Sequence, residues 1–425
     1  MGAGISPYPY AFIFSQDEHE RLLIDRLSEA DVSVERETEF VGLEDRGGRL
    51  VARFKHADGR PDSCDAAFLA GCDGAHSRVR ESLAIGFAGG TYEHLFYVAD
   101  VEARGPVMNG EIHVALDRTD FLAVFPLKDA HRVRLVGTVR DEAEGTRTVG
   151  NLTWDDVSTR VIEWLRIDVE RVNWFSTYHV HHRVADRFRS GRAFLLGDAA
   201  HIHSPVGGQG MNTGIGDAVN LAWKLAAVLH GRVDDRILET YEPERIAFAQ
   251  RLVATTDQAF TGVTSATAIA RALRLHVVPS LLPAALLRLT LFRRLAFRTI
   301  SQTAINYRGS ALSEGHAGDV HGGDRLPWVP LDSSRPGADN FAPLTSLEWQ
   351  IHVYGSAMPE IRGFCAERCL RLHEFMWQSA MERAGLRRDA LYLVRPDGYI
   401  ALALPEQRQV TLAAYLSAHA IRMPG

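Results

Sequence analysis

The chain has few cysteines. Its 425 residues include 4, at positions 64, 72, 365 and 369. So few thiols in so long a chain are typical of a reducing compartment, and we therefore expect a cytoplasmic protein. Neither pair has the spacing of a zinc site with partner histidines, and three residues rather than two separate Cys365 from Cys369. We predict no metal site and no redox Cys-x-x-Cys motif.

Long uninterrupted apolar runs are also absent. The most apolar stretch, 277–300, is broken by two prolines and by arginines at 288, 293, 294 and 298. It falls short of the ~20 apolar residues that a membrane span needs, so we predict no membrane span. We interpret it as a buried helix or as a helix that forms a homodimer, with membrane-surface contact as an alternative. No charged region precedes an apolar core at the start of the chain, so no secretory signal is visible.

The sequence has no excess of positive charge. Its 47 Lys and Arg residues against 53 Asp and Glu residues give a net charge of −6. This argues against a nucleic-acid partner, because neutralising phosphates requires clustered Lys and Arg. Hydrophobic residues make up 46% and charged residues 24% of the chain, as in ordinary globular proteins. The length allows two or three domains of roughly 100–200 residues each.

Periodic patterns predict both helices and strands. Helices are predicted over 17–30, 77–83, 154–167 and 234–256. Strands are predicted over 32–43, 50–55, 111–116, 121–126, 133–139 and 171–184. An unbroken apolar run from Ala66 to Gly71 predicts a buried strand. Residues 313–343 are rich in Gly, Pro, Asp and His, and we interpret them as a linker.

One glycine-rich turn stands out between a predicted strand that ends at Leu196 and a predicted helix that stops near Gly231. A carboxylate at the strand end, that of Asp198, can accept hydrogen bonds from sugar-type hydroxyls. Glycines at 207, 208 and 210 carry no Cβ, so the backbone can bend sharply and approach a flat ligand. The start of the following helix favours negative charge, which suits a ring that becomes anionic on reduction.

The string from Gly197 to Asn212, continued by Asp217, Asn220 and Lys224, resembles the second FAD-binding fingerprint of the flavin-dependent aromatic hydroxylases. This family includes the para-hydroxybenzoate and phenol hydroxylases. The resemblance implies that FAD is bound by Asp198, Pro205, Gly207, Gly208, Gly210, Met211 and Asn212.

A second turn, Cys72 to Arg80, resembles the middle fingerprint of the same family. The resemblance implies that Asp73 orients the ribityl side of the flavin. It also implies that Arg80 offers a guanidinium to a pyrophosphate, where its planar fork can form paired hydrogen bonds. Gln16, which precedes the first long helix, is placed like a glutamine that contacts the flavin side chain in the family.

The resemblance implies a mixed α/β fold. The expected parts are an incomplete Rossmann-like FAD-binding domain in two segments, an inserted β-sheet substrate domain, the linker and a thioredoxin-like C-terminal domain. Their predicted ranges are 1–86 and 185–312 for the FAD-binding domain, 87–184 for the substrate domain, 313–343 for the linker and 344–425 for the C-terminal domain. The family's opening βαβ unit with G-x-G-x-x-G has no counterpart ahead of Ser6, which leaves tight FAD binding open.

The implied activity is hydroxylation of a small aromatic substrate, phenolic or polyketide-type, with NAD(P)H and O₂ through a flavin C4a-hydroperoxide. No carboxylate pair or Ser/His/Asp set stands out, so no catalytic residue is assigned. Pocket candidates in the substrate domain are Phe125, Trp174, Tyr178, His179, His181 and Arg183, each of which is alternatively an ordinary sheet-face residue. Two other functions stay open: a flavoprotein that does not hydroxylate, and a cofactor-free homologue that is a binding partner or inactive.

Overall fold

A computed structural model describes residues 2–10, 12–117, 121–127, 131–139, 152–203, 209–264, 289–332 and 337–423. The helices in these ranges are Gln16–Glu29, Arg78–Ser82, Arg160–Trp164, Gly210–Leu229, Tyr241–Thr264, Thr290–Ile300, Pro359–Glu367, Ser379–Arg383 and Gln409–Ala418. Shorter 3₁₀ turns are Trp154–Asp156, Gly197–Ala199, Asp235–Thr240 and Ala342–Ser346. No helix in the described ranges is both long and apolar enough to cross a membrane.

Eighteen strands, numbered in chain order, form four sheets in the described ranges. The first nine are β1 Thr38–Asp45, β2 Leu50–His56, β3 Pro61–Ala66, β4 Leu69–Gly71, β5 Phe87–Arg104, β6 His113–Leu116, β7 Phe121–Pro126, β8 Arg132–Thr138 and β9 Asp168–Ala185. The others are β10 Arg189–Ser190, β11 Ala193–Leu195, β12 His201–Ile202, β13 Glu314–Ala317, β14 Val320–His321, β15 Gln350–Tyr354, β16 Arg371–Phe375, β17 Leu391–Val394 and β18 Ile400–Leu404.

The largest antiparallel sheet is built on β5 and β9, which are 18 residues long each. Its strand order is β12-β9-β5-β8-β7-β6. Because successive side chains on a strand point to opposite faces, Tyr97, Ala99 and Val101 of β5 share one face. They are buried with Val161 and Ile162 of the Arg160–Trp164 helix. The strands predicted at 111–116, 121–126, 133–139 and 171–184 are confirmed in this sheet.

The helix predicted over 154–167 is shorter than expected. A 3₁₀ turn at Trp154–Asp156 is followed by Val157 in extended conformation, with φ −75° and ψ 144°. Val157 forms an antiparallel bridge with Val139 next to the sheet. The α-helix therefore begins only at Arg160, because a residue paired with a strand cannot also continue a helix.

A short parallel pair positions both sequence motifs. Strands β4 and β11 run in parallel with Gly71 opposite Leu195, and β10 flanks β11. The carboxyl ends of parallel strands meet at one edge of a sheet, which is where ligands bind in open α/β sheets. The chain segments that follow Gly71 and Leu195 therefore leave the sheet side by side.

The C-terminal sheet has the order β14-β13-β18-β17-β15-β16. Four of its strands are adjacent in the order β16-β15-β17-β18. Strands β15 and β16 are parallel, whereas β15 with β17 and β17 with β18 are antiparallel. Helices Pro359–Glu367 and Gln409–Ala418 pack on the core of this sheet, and the arrangement resembles that of thioredoxin. Residues 313–343, which we interpreted as a linker, supply β13 and β14 to this sheet. Leu326 and Val329 of this segment are 1% and 0% exposed. The linker interpretation is wrong because these apolar side chains complete a core.

The stretch 277–300 falls partly outside the described residues. Its described helix, Thr290–Ile300, has no buried residue. Leu291 and Leu295 are 82% and 60% exposed. The expectation of a buried helix is therefore wrong for this part, because none of its residues is buried and two of its leucines are largely exposed.

A buried ionic network ties the C-terminal unit to the two long helices. Glu244, Arg395 and Lys224 have fully buried side chains. Both oxygens of Glu244 accept from Arg395, at 2.8 and 3.0 Å, and Oε2 also accepts from Lys224 Nζ at 2.8 Å. Asn220 and Ser310 donate to the same carboxylate at 2.6 Å each. Buried charges persist only when they are paired and hydrogen-bonded in this way.

Replacing Glu244 with Gln should strongly destabilise the protein. The substitution leaves the charges of Arg395 and Lys224 without their shared partner, and breaking a buried pair in this way costs about 3–5 kcal/mol. We expect that decrease in the free energy of unfolding, measured by urea denaturation. The control, Glu239→Gln on the preceding turn, changes an exposed side chain and should shift it by less than ~0.5 kcal/mol. Equal effects of both substitutions would contradict the role of the network.

The same network predicts how stability depends on pH. Burial alone would raise the pKa of Glu244, but Arg395 and Lys224 outweigh burial and hold it well below its ordinary value of 4.5. The carboxylate thus stabilises the fold above the unfolded-state pKa, and this contribution is lost as the pH falls towards the folded-state pKa. We expect the free energy of unfolding to decrease below about pH 4.5. The decrease should be smaller in Glu244→Gln, and an unchanged pH slope in that variant would rule the assignment out.

Candidate functional site

The two sequence motifs meet at one sheet edge. The turn after β4 carries Asp73 and the turn after β11 carries Asp198, and the backbone N–H of Leu196 donates to the carbonyl of Gly71 at 3.0 Å. Both carboxylate side chains are on exposed residues. This places two acidic side chains on neighbouring turns that open to solvent, the arrangement that the sequence predicts for a ligand with hydroxyl groups.

Asp73 also organises its own turn. Its Oδ2 accepts from the backbone N–H of Val79 at 3.0 Å, and the Ser77 hydroxyl accepts from the N–H of Arg80 at 2.9 Å. These bonds satisfy free amides at the start of the Arg78–Ser82 helix, as capping side chains do. Asp73 is therefore held in place by one oxygen while its residue stays exposed.

Arg80 connects the two turns. Its guanidinium is buried and donates from Nη1 to the carbonyl of Ala199 and from Nη2 to the carbonyl of Ala75, at 2.9 Å each. The guanidinium carbon lies 3.9 Å from the ring centroid of Phe87. Arg80 thus fixes the position of the Asp198 turn relative to the Asp73 turn, a contact that the sequence did not reveal.

The Asp198 turn is anchored through its first residue. Gly197 has a φ of +57°, a conformation that favours glycine, and its N–H donates to Oδ2 of Asp217 at 3.0 Å. A Cβ on Gly214 of the Gly210–Leu229 helix, called the motif helix below, would lie 3.2 Å from the Cα of Gly197. Both glycines therefore allow the turn and the helix to approach each other closely. The Asp198 side chain makes no hydrogen bond or ion pair within the described ranges, which leaves its carboxylate available for a ligand.

Asp217 is the buried anchor beneath this turn. Besides the Gly197 amide, its Oδ2 lies 2.7 Å from Nε2 of His201, and its Oδ1 accepts from Nε of Arg245 at 2.6 Å. Burial would raise the pKa of Asp217, but the His201 hydrogen bond and the Arg245 charge outweigh it and the pKa is lowered. Arg245 also donates to the Tyr307 hydroxyl at 3.0 Å. Neither Arg245 nor Tyr307 was predicted as a partner in this site, because both are distant from Asp217 in sequence and local pattern does not reveal such pairing.

The motif helix begins at Gly210, as the glycine-rich string predicts. Met211 is 52% exposed and Asn212 is exposed, so the first turn of the helix is open to solvent. Gln302 donates to the Thr213 hydroxyl at 2.8 Å and steadies this end of the helix. The other predicted contacts, Pro205, Gly207 and Gly208, lie outside the described residues.

Gln16 lies apart from the hydrogen bonds that connect the two turns. It begins the Gln16–Glu29 helix, is exposed, and donates to Glu20 of the same helix at 3.1 Å. A contact of Gln16 with a flavin therefore stays a prediction.

The substrate-domain candidates divide between the two faces of the large sheet. Tyr178 pairs with Phe96, with ring centroids 6.3 Å apart, and Trp174 lies 6.0 Å from the Arg134 guanidinium. Phe125 pairs directly with Arg134. Phe125, Trp174 and Tyr178 therefore share the face that the Arg160–Trp164 helix does not cover.

The two histidines point to the other face. His179 and His181 alternate with Tyr178 along β9 and have the same parity as Phe175, which packs on the helix-covered core. His181 Nδ1 lies 2.8 Å from the Thr91 hydroxyl, and Arg183 lies 3.5 Å from the same hydroxyl. An aromatic pocket that contains all six candidates would require side chains from both faces, so the predicted set is not brought together.

The sequence family described as FAD binding domain matches residues 4–256, more than half of the chain. The chain belongs to this family of flavin-dependent monooxygenases. A flavin-dependent monooxygenase of Mycobacteroides abscessus is 31% identical over 423 residues, which cover 96% of this chain and 78% of the relative. A 6-methylpretetramide 4-monooxygenase of Streptomyces rimosus is 30% identical, over 97% of this chain and 76% of the relative.

A solved structure agrees with this assignment. The anhydrotetracycline hydroxylase OxyS from Streptomyces rimosus has a TM-score of 0.76 and 27% identity to this chain, and the match covers 98% of this chain and 81% of that chain. The family resemblance and the mixed α/β fold predicted from the sequence are confirmed.

The described residues fit the hydroxyl-bearing and ring-proximal parts of FAD. Two exposed carboxylates, Asp73 and Asp198, lie on adjacent turns where ribityl-type hydroxyls would donate. The open start of the Gly210–Leu229 helix favours a ligand that carries negative charge. Gly197 provides the bend at which the chain leaves β11 and enters the Asp198 turn.

Substituting Asp217 with Asn should destabilise the Asp198 turn. In Asp217 one oxygen faces Arg245 and the other faces Gly197 and His201. An asparagine replaces one of these oxygens with an NH₂ group, which cannot accept a hydrogen bond. At least one buried donor therefore loses its partner. We expect the free energy of unfolding to fall by about 3 kcal/mol and FAD affinity to fall at a temperature where the variant is fully folded. Urea denaturation and flavin fluorescence titration measure the two effects. Unchanged FAD affinity in the folded variant would show that the turn does not depend on Asp217.

Proposed function

We propose that this chain hydroxylates a small aromatic substrate, phenolic or polyketide-type, with NAD(P)H and O₂. The observation that carries this proposal is the direct connection between the Asp198 turn and the large sheet built on β5 and β9. His201 and Ile202, which follow Asp198 closely, pair with Val184 and Arg183 of β9. The same strand carries Tyr178 and Trp174 on the face opposite the Arg160–Trp164 helix, so one continuous strand joins the Asp198 turn to the side chains that would contact a substrate.

The protein would supply position and polarity to this reaction, while bound reduced FAD would activate O₂. Asp73 and Asp198 would hold the flavin side chain through its hydroxyl groups. The helix start at Gly210–Asn212 would stabilise negative charge on the ring. The names of the relatives support an aromatic substrate, since they include 6-methylpretetramide and anhydrotetracycline oxygenases.

The sheet face opposite the Arg160–Trp164 helix would orient the substrate. Burial raises the pKa of the Tyr178 phenol to about 12, so this side chain stays a neutral hydrogen-bond donor at ordinary pH. Arg134 forms a bidentate pair with Asp100 at 2.8 and 3.0 Å and lies over Trp174. This gives a flat aromatic surface bordered by one neutral phenol and one compensated ion pair, a suitable lining for a planar polar aromatic molecule.

Purified chain titrated with FAD should acquire a protein-bound visible spectrum. Asp198→Asn should weaken FAD binding by about tenfold or more, because a charge-assisted hydrogen bond to a ribityl-type hydroxyl is lost. The matched control is Asp234→Asn, which changes an exposed carboxylate that caps a distant 3₁₀ turn. A chain that stays colourless with excess FAD would refute the proposal and favour the cofactor-free alternative.

With FAD bound, NAD(P)H oxidation should depend on an aromatic substrate and yield hydroxylated product. Trp174→Ala should lower kcat/KM, because the sheet face loses its largest exposed ring, while Trp164→Ala removes an exposed ring on the opposite side and should leave it unchanged. Product is quantified by mass spectrometry against NAD(P)H consumed. Consumption without any hydroxylated product would instead identify the non-hydroxylating alternative.

A further inference from the structure

A large cavity lies away from the Asp73 and Asp198 turns. It has a volume of about 760 Å³, within the range of ligand pockets, and is bounded by the turn at Gly4–Ser6, the Thr290–Ile300 helix and the C-terminal unit. None of its lining residues belongs to the Asp73 or the Asp198 turn. The flavin therefore does not account for it.

The cavity is lined by five arginines and two aspartates, which are Arg294, Arg298, Arg308, Arg325, Arg383, Asp319 and Asp324. Arg308 and Asp324 neutralise each other through two hydrogen bonds of 2.6 and 2.9 Å. The other four arginines have no carboxylate partner in the part of the chain that the structure describes, and only Asp319 faces them. The cavity therefore carries a local positive charge in a chain whose net charge is −6.

The four arginines without a described carboxylate partner line the cavity from different elements of the fold. Arg294 and Arg298 are four residues apart on the Thr290–Ile300 helix and therefore share one face of it. Arg325 follows β14, and Arg383 ends the Ser379–Arg383 helix of the C-terminal unit. Like charges that converge on one space repel each other unless an anion lies between them. Guanidinium groups also match phosphate oxygens geometrically, through paired hydrogen bonds.

The rest of the lining suits the organic part of a ligand. Trp328 and Phe341 supply aromatic rings, and Leu295, which is 60% exposed, supplies apolar surface. The indole N–H of Trp328 already donates to Asp339 at 3.0 Å, which fixes the ring in place. We propose that this cavity binds a phosphorylated small molecule with a flat ring, of the size of a nucleotide, with its phosphates between the helix arginines and Arg325.

The test is calorimetric titration of the full chain, and of its Asp198→Asn variant, with ADP, adenosine and pyrophosphate. ADP should bind, adenosine should not, and pyrophosphate should bind more weakly than ADP because it lacks the ring. Added NaCl should weaken ADP binding, since exposed charge pairs are screened by salt. Asp198→Asn, which should weaken FAD binding, should leave ADP binding unchanged, because Asp198 does not line the cavity. FAD binding itself is followed separately by visible absorbance, so failure of the flavin proposal would be distinguished.

Matched substitutions locate the site. Arg298→Gln and Arg325→Gln should each weaken ADP binding by about fivefold, the value for ~1 kcal/mol from an exposed charge pair. Arg293→Gln removes the same charge from the same helix but does not line the cavity, so it should have no effect. Three results would overturn the proposal: no ADP binding, equal effects of all three arginine substitutions, or loss of ADP binding in Asp198→Asn.

Discussion

The adjacent residues Glu244 and Arg245 hold the described parts of the molecule together. Glu244 is the shared partner of Arg395 in the C-terminal unit and of Lys224 in the motif helix. Arg245 pairs with Asp217 under the Asp198 turn. Both side chains are fully buried, and buried charges are tolerated only with close, complete pairing. One turn of one helix therefore sets the relative positions of the thioredoxin-like unit, the motif helix and the turn that carries Asp198.

This dependence links stability to function. Among the described residues the Asp198 side chain has no hydrogen-bond or ion-pair partner, so its position follows from Gly197, whose amide is held by Asp217. Arg80 adds a second constraint by joining the Asp73 and Asp198 turns through two carbonyls. Residues that hold a ligand are effective when their supporting shell is rigid. Here that shell is ionic and buried, and the residues that would touch the flavin lie at its exposed edge.

The position of a residue in a motif did not reveal its contacts. Arg80 occurs in a string that suggests a cation for pyrophosphate, yet two of its N–H groups are used within the protein. His179 and His181 occur beside Tyr178 in sequence, and strand alternation turns them to the opposite face of the sheet. Arg294 and Arg298 of the Thr290–Ile300 helix look like interruptions of an apolar run, and they line a cavity whose other wall lies in the C-terminal unit.

The sequence by itself determined the family, four of the six strands of the large sheet, the two turns and the start of the motif helix, because these depend on local pattern and on glycine positions. Tertiary structure alone decided that 313–343 completes a sheet and that Asp217 pairs with Arg245. It also decided which aromatic side chains share a face. The reason is that pairing of buried charges and strands joins residues far apart in the chain, and local periodicity carries no information about such partners.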